Sequence, residues 1–321
     1  AMDQRQPMDT NQVQNQFSVM LTSHRFILTE AAVIEALQRS AEIAIDPHVA
    51  NALLINDPEG RAALSRLYSE FVAIAQQARI PIVLTTPTWR AGRERIECAG
   101  APLRLNQDAA NFLTHLREQA REGATTTAIG GLLGPKNDAY QPHQGLSTAA
   151  AETYHQWQAQ QLVDGGVDFL VAATLPALPE AKGIALAMGR TGLPYVVSVV
   201  IGADGRLLDG TPLEQAVIEI DAQSAQRPAG FMINCAYPSF LKTSALSPAS
   251  LKRIIGFQAN AAARSHDALD AAEGRLAEPV ADWGDRMIAL HRDFGVKILG
   301  GCCGTRGEHL RYLAVRLGTN G

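Results

Sequence analysis

The chain of 321 residues lacks most of the features that mark specialised protein classes. Aromatic residues make up only 6%, no block of Lys or Arg stands out, and the formal charge is a mild -4, which excludes the electrostatic footprint of a nucleic-acid binder. Small molecules are therefore the expected partners, and a homo-oligomer is compatible with this composition. Long apolar runs are missing too. The run Val196-Val197-Ser198-Val199-Val200-Ile201 is strand-sized, far short of the roughly 20 residues of a membrane-spanning helix. Residues 1–20 are polar, rich in Gln, Asn and Asp, and have neither the basic start nor the apolar stretch of a signal peptide, so the expected compartment is the cytoplasm. Cysteine is scarce. Four in the whole chain are too few for a disulfide framework, and a reducing compartment would keep them as thiols.

What is present is the material of a large core: 46% hydrophobic against 19% charged residues. Short apolar, β-branched runs recur at Arg25–Thr29, Pro81–Thr86, Thr127–Gly131, Val167–Thr174, Pro194–Ile201, Gly230–Cys235, Ile254–Asn260 and Val296–Gly300. Segments of helical period lie between them, such as Arg61–Arg79 with Leu64, Leu67, Phe71 and Ile74, and Ala149–Val163 with Tyr154, Trp157 and Leu162. Eight strands alternating with helices fit an α/β fold of the (β/α)₈ TIM-barrel kind. A doubly wound open sheet is the rival, although no Gly-x-Gly-x-x-Gly follows an early strand. No repeat, coiled coil or low-complexity tract interrupts the chain after residue 20. The expected organisation is a flexible tail over residues 1–22 and one barrel domain over 23–321. The stretches Gly134–Gly145 and Ala236–Ser250 follow strands, so both are expected on the C-terminal face, where barrel enzymes build their sites.

Three cysteines stand where apolar strands end. Cys235 closes Gly-Phe-Met-Ile-Asn-Cys, and Cys302-Cys303 follow Val-Lys-Ile-Leu-Gly-Gly. In a barrel these ends converge, and three thiolates around one Zn²⁺ with the fourth position open match a catalytic zinc site. Neighbouring residues on a strand face opposite ways, so the Cys302-Cys303 pair must lie just past its strand, in a bend that Gly300, Gly301 and Gly304 permit. A zinc-bound thiol is deprotonated outright, which turns a weak nucleophile into a strong one without a general base. Three anionic sulfur ligands would leave that substrate sulfur nucleophilic toward a methyl group on a cationic sulfonium or ammonium donor. The plain alternative is that Cys235 is a small buried apolar residue and the pair a packing or redox feature. Cys98, in a charged run, has no such setting.

With those residues in view, Gly300-Gly301-Cys302-Cys303-Gly304-Thr305 and Asn234-Cys235 resemble the zinc-dependent homocysteine S-methyltransferase family, which includes betaine-, S-methylmethionine- and methylfolate-using enzymes. The resemblance runs over roughly residues 25–315, through Ile129–Pro135, Gly166–Leu170, Thr174-Leu175-Pro176 with Glu180-Ala181, and Ala259-Asn260. It implies a (β/α)₈ barrel, zinc on Cys235, Cys302 and Cys303, and homocysteine sulfur as fourth ligand, giving methionine. Two departures stand out. The family's Asp-Gly-Gly-x-Gly-Thr turn is replaced by Leu28-Thr29-Glu30-Ala31-Ala32-Val33, and the Glu before Thr-x-Pro is replaced by Ala173. Both missing carboxylates belong to the group that holds the amino-acid end of homocysteine in relatives, and a buried ammonium without a counter-charge is costly. Glu30, one position along, is the candidate replacement.

Further candidate substrate contacts are Trp89, whose indole face suits an onium group, and Arg90, whose fork suits a carboxylate. Asn234 and Asn260 are candidates for orienting the site, with capping or turn duty as the alternative. Tyr140 is a candidate to close over the site. His155 and His309 are not assigned to zinc. The leading reading is a zinc-dependent thiol S-methyltransferase acting on homocysteine or a related thiol. The alternatives are an onium-metabolite demethylase using a different thiol, and a non-catalytic zinc or redox barrel.

Overall fold

A computed structural model describes residues 14–40, 43–121, 123 and 125–318. The eight strands are β1 (Ile27–Thr29), β2 (Ile82–Thr85), β3 (Thr127–Leu133), β4 (Phe169–Leu175), β5 (Tyr195–Val199), β6 (Gly230–Ala236), β7 (Ile254–Ala259) and β8 (Ile298–Gly301). Every strand pairs in parallel with the next, and β1 closes on β8, so the sheet is a closed barrel in sequential order. Each expected apolar run overlaps one of these strands, and the open-sheet rival is set aside. Among the described residues no helix is long and apolar enough to cross a membrane.

The helices between strands are built from local signals. Helix Pro58–Ala78 starts where the Asp57 carboxylate accepts the Gly60 N–H at 2.7 Å with Pro58 in the first turn, and it stops at Arg79, which takes a left-handed conformation. Helix Thr148–Asp164 is capped by Ser147, whose hydroxyl accepts the Ala150 N–H. Both helices bury an apolar stripe against the outside of the barrel, in a core that includes Leu64, Phe71, Ile74 and Leu162.

Inside the barrel a second cluster gathers Ile27, Val83, Ala128, Phe169, Val171, Val196, Met232 and Ile298. Its filling explains two glycines. A Cβ at Gly130 would stand 2.6 Å from the Phe169 ring, and one at Gly256 would stand 2.6 Å from the Met232 methyl, so large side chains on one strand use the space left by the next.

Phe17 and Met20 also belong to this interior cluster, which changes the expected tail. Residues Gln16–Ser23 form a helix capped by Asn15. Asn15 Nδ2 donates to the Asp168 carbonyl at 2.7 Å and Gln16 Nε2 to the Thr127 carbonyl at 3.0 Å, both at strand starts. The helix therefore closes the N-terminal end of the barrel. The flexibility expected up to residue 22 does not hold for this segment, because two apolar side chains of the helix complete the core; residues 1–13 of the expected tail lie outside the described residues.

Candidate metal and substrate site

At the opposite, C-terminal mouth, Cys235 on β6 meets Cys302 and Cys303, which follow directly on β8, and the three Sγ atoms all lie within 4.8 Å of one another. The pair lies past its strand, as alternation of side chains requires. The bend after β8 is closely fitted. The Thr305 N–H and hydroxyl both donate to the Cys302 carbonyl, a Cβ on Gly301 would stand 2.2 Å from Thr305 Oγ1, and Gly304 has φ +81°. Main-chain bonds from Cys302 N to the Ala259 carbonyl and from Ala261 N to the Cys303 carbonyl fasten the bend to β7. Glu35 joins it from the β1 side, accepting from Gly304 N and pairing with Arg306 at 2.7 Å.

Cys235 and Thr174 carry positive φ, +54° and +61°. For a β-branched residue that is a true outlier, of a kind that costs on the order of 1–3 kcal/mol and persists only where neighbours hold it. Asn234 supplies the hold. Its Oδ1 accepts from Thr174 N at 2.9 Å and from the Ser198 hydroxyl at 2.7 Å, while its Nδ2 donates to Thr174 Oγ1 at 2.7 Å. One buried amide thus ties β4, β5 and β6 together beside the first cysteine. Asn234→Ala leaves the Thr174 N–H without its partner, and we expect a stability loss of about 1–3 kcal/mol in denaturant melts. Metal titration of the same variant should show weaker binding; unchanged affinity would mean that Asn234 does not set the Cys235 geometry.

The three thiols share their protons unequally. Hydrogen bonds from Cys302 and Cys303, aided by Tyr140 and Thr174 and opposed by burial, hold the Cys235 thiol well below its usual range. The bond to Cys235 pushes the Cys303 thiol up to about 12, and Cys302 is raised as well. The donor set fits zinc: three sulfurs at about 2.3 Å from one tetrahedral ion lie roughly 3.8 Å apart.

A cavity of about 350 Å³ opens beside the cluster, lined by Glu30, Trp89, Asn234 and the three cysteines among others. Glu30 is buried, with Oε2 accepting from Thr85 N at 3.0 Å and Oε1 from the Thr85 hydroxyl. Burial raises its carboxyl to about 7 against the pull of those bonds. Trp89 lines the cavity while its indole N–H donates to the Ala173 carbonyl at 3.1 Å.

Two predicted contacts do not reach the cavity. Arg90 lies over the Trp89 ring at 4.4 Å and donates to the Asn137 carbonyl at 2.7 Å, so its fork is engaged by the protein itself and it already provides a cation to the indole. Asn260 is buried behind the lining, with its N–H bonded to the Ala236 carbonyl. The loops also differ from expectation. The stretch 134–145 does deliver Tyr140, but Ala236–Ser250 contributes no lining residue beyond β6; the segment after β7 covers the site instead, with Leu269, Asp270, Arg275 and Leu276. His266 in that segment stacks on Tyr140, ring centroids 3.8 Å apart, and the two bridge the mouth from opposite loops. His266 and Asp270 were not legible beforehand, since they sit in an irregular segment with no periodicity or motif. His155 and His309 are buried away from the cysteines, and Cys98 is exposed on helix Arg93–Cys98.

A closed parallel barrel with convergent thiols and a small cavity at its carboxyl mouth defines an enzyme of the TIM-barrel class acting on a small molecule. The model of the family "Homocysteine S-methyltransferase" matches residues 27–317. Betaine–homocysteine S-methyltransferase 1 of Rattus norvegicus is 24% identical over 319 residues, covering 92% of this chain and 73% of that protein. Homocysteine S-methyltransferase YbgG of Bacillus subtilis (strain 168) is 25% identical over 183 residues, 54% of this chain and 55% of that protein. The fold is shared with the metallated form of the homocysteine methyltransferase MmuM from Escherichia coli, at a TM-score of 0.69 and 20% identity, covering 94% of this chain and all of that one. The chain belongs to the homocysteine S-methyltransferase family, and it is a methyltransferase.

Proposed function

We propose that the chain holds one zinc ion on Cys235, Cys302 and Cys303 and moves a methyl group from a sulfonium or quaternary ammonium donor to homocysteine, giving methionine, or to a related thiol. The observation that carries this reading is the convergence of three sulfurs within 4.8 Å at the wall of a cavity in the barrel's mouth. Bound zinc would supply a Lewis acid that lets an acceptor thiol lose its proton at neutral pH. The protein's residues do the rest. Asn234 keeps Cys235 in its strained conformation, the bend around Gly301 and Gly304 turns both later thiols to the same point, and the apolar lining keeps water from competing for the methyl group. In the transfer a carbon–sulfur bond forms on the acceptor as the donor's onium carbon bond breaks. The leaving thioether or amine keeps the electron pair and departs neutral.

The test is a panel of S-methylmethionine, S-adenosylmethionine, betaine and dimethylsulfoniopropionate against homocysteine and other thiols, with the methylated thiol detected by mass. At least one pair is expected to turn over. No methylated thiol from any pair, with zinc bound, would overturn the reading. A reducing compartment such as the cytoplasm suits a site that depends on free thiols.

The acceptor reading turns on charge. Thr29 donates its hydroxyl to the Val83 carbonyl and Ala173 has no polar side chain, so neither can meet an ammonium. Glu30 and Glu35 are the carboxyls in the lining on β1's side of the cavity, and Glu35 is already paired with Arg306, which leaves Glu30. An ammonium binds its ionised form, so the KM for an amine-bearing thiol is expected to fall as pH rises through about 7. Glu30→Gln should remove that fall and should raise the KM for homocysteine without raising it for a thiol that has no amine. Equal effects on both thiols would transfer the acceptor's amine to other partners. The same ionisation opposes folding: a carboxyl raised in the fold binds more protons folded than unfolded, so its contribution to stability declines from the ordinary carboxylate range up to about 7.

A further inference from the structure

Glu180 is fully buried in helix Leu178–Gly189, on the outer side of the barrel, and the chemistry above makes no use of it. Its two oxygens hold both ends of one loop. Oε1 accepts from Lys136 N at 2.9 Å and Oε2 from Leu146 N at 3.2 Å, ten residues apart along the connection between β3 and helix Thr148–Asp164. A third bond comes from His155 Nε2 at 3.1 Å. With a carboxylate as acceptor that nitrogen must carry the proton, and His155 Nδ1 is buried with no hydrogen-bond partner among the described residues. Burial pushes the Glu180 carboxyl up, but the bonds from His155, Lys136 and Leu146 outweigh it and keep it ionised.

The carbonyls of the same loop are held from the other side. Arg95 Nη2 donates to the Lys136 carbonyl and Arg90 Nη1 to the Asn137 carbonyl, each at 2.7 Å. Inside the loop, Asn137 Nδ2 reaches the Gln144 carbonyl and Tyr140 N the Asp138 carboxylate, both at 2.8 Å. So fastened, the loop carries Tyr140 to the cavity wall, where it stacks on His266 and lines the same cavity as Cys235.

We propose that Glu180 is a positioning residue for the thiol site: its buried carboxylate closes the loop 134–147 and so sets the Tyr140 side chain at the cavity wall beside Cys235. The link to zinc rests on the proposed function, but the link from Glu180 to the loop does not. The test compares Glu180→Gln, Tyr140→Phe and the double variant in the full chain. A glutamine of the same shape has one accepting oxygen and turns an N–H toward amides that need an acceptor. Exchange of the Lys136 and Leu146 amides is expected to rise about ten- to hundredfold in Glu180→Gln, the scale of losing hydrogen bonds to a charged group, while amides of β3 stay protected. Tyr140→Phe should leave that exchange unchanged. Losing a partner of a metal ligand typically weakens metal binding by about 10–100-fold, so each single variant should weaken zinc in chelator competition by about tenfold or more, and the double variant no further. Amides that stay protected in Glu180→Gln, or zinc losses that multiply in the double variant, overturn the proposal. Should Glu180→Gln not fold, His155→Leu, which removes one of three donors, must give the same pattern more weakly, and unchanged exchange there counts against it. Three cysteines that bind no zinc in the parent chain would instead overturn the proposed function and leave the exchange result intact.

Discussion

Replacing Cys302 with Ala is expected to take zinc from about one ion per chain to none after dialysis, and methyl transfer with it. Two thiols remain in that variant, one on β6 and one past the end of β8, and neither has a substitute nearby: among the described residues the metal-ligating side chains that converge here are Cys235, Cys302 and Cys303. Loss of an outer partner of a ligand already weakens binding by about 10–100-fold, so loss of one ligand in three should exceed the top of that range. Activity should fall by at least about thirtyfold, because a free acceptor thiol, with a pKa near 8.5, is only about 3% ionised at neutral pH. The fold should survive. Cys302 and Cys303 are half-buried and outside both hydrophobic clusters, so circular dichroism and the melting temperature of metal-free protein should stay close to those of the parent chain. Cys98→Ala is the matched control, and it should retain all the zinc, since Cys98 is exposed on a separate helix. Elemental analysis of both variants decides the matter, and full zinc in Cys302→Ala removes the site assignment. Acidification should mimic the substitution gradually, because thiolate ligands compete with protons for the metal.

The barrel was legible because its strands are buried on both faces and read as apolar runs, a pattern unlike the striped helices between them. Strand ends were less so: β3 continues through Leu132 and Leu133 beyond the expected Gly131, since nothing in an apolar run marks where pairing stops. The cysteines were legible because thiols at glycine-rich strand ends have few structural reasons to be there. What stayed hidden depends on contacts between distant segments. Asn234 stood as a candidate for orienting the site, but its particular task, holding the positive φ of Thr174 beside Cys235, depends on contacts to β4 and β5. Tyr140 was visible as a loop residue, but His266, against which it stacks, comes from the connection after β7, about 126 residues away in sequence, and no local pattern joins them. Arg90 has the chemistry of a carboxylate binder, and only the fold reveals that loop carbonyls and the Trp89 ring already engage it.

The N-terminal segment is the clearest case of a role that composition conceals, and it gives the second large expected effect. Gln16–Ser23 is eight residues long, too short to persist as a helix in isolation, with only Phe17 and Met20 buried, so it reads as polar tail. Yet Phe17 stacks on Phe169 with ring centroids 3.7 Å apart and 11° between planes, inside the barrel's own core. Phe17→Ala deletes a fully buried ring and opens the end of that core, a change that typically costs about 3–5 kcal/mol. For a chain of this size roughly 2 °C or less is lost per kcal/mol, so the melting temperature should drop by about 5 °C. Phe17→Leu should recover more than half of it by refilling the space. Neither variant should change the zinc content, because the helix and the three cysteines sit at opposite ends of the barrel and share no contact. An unaltered melting temperature in Phe17→Ala would mean that the helix adds nothing to the stability of the barrel it covers. A lower temperature with zinc intact would separate the two ends, one holding the fold closed and the other holding the chemistry.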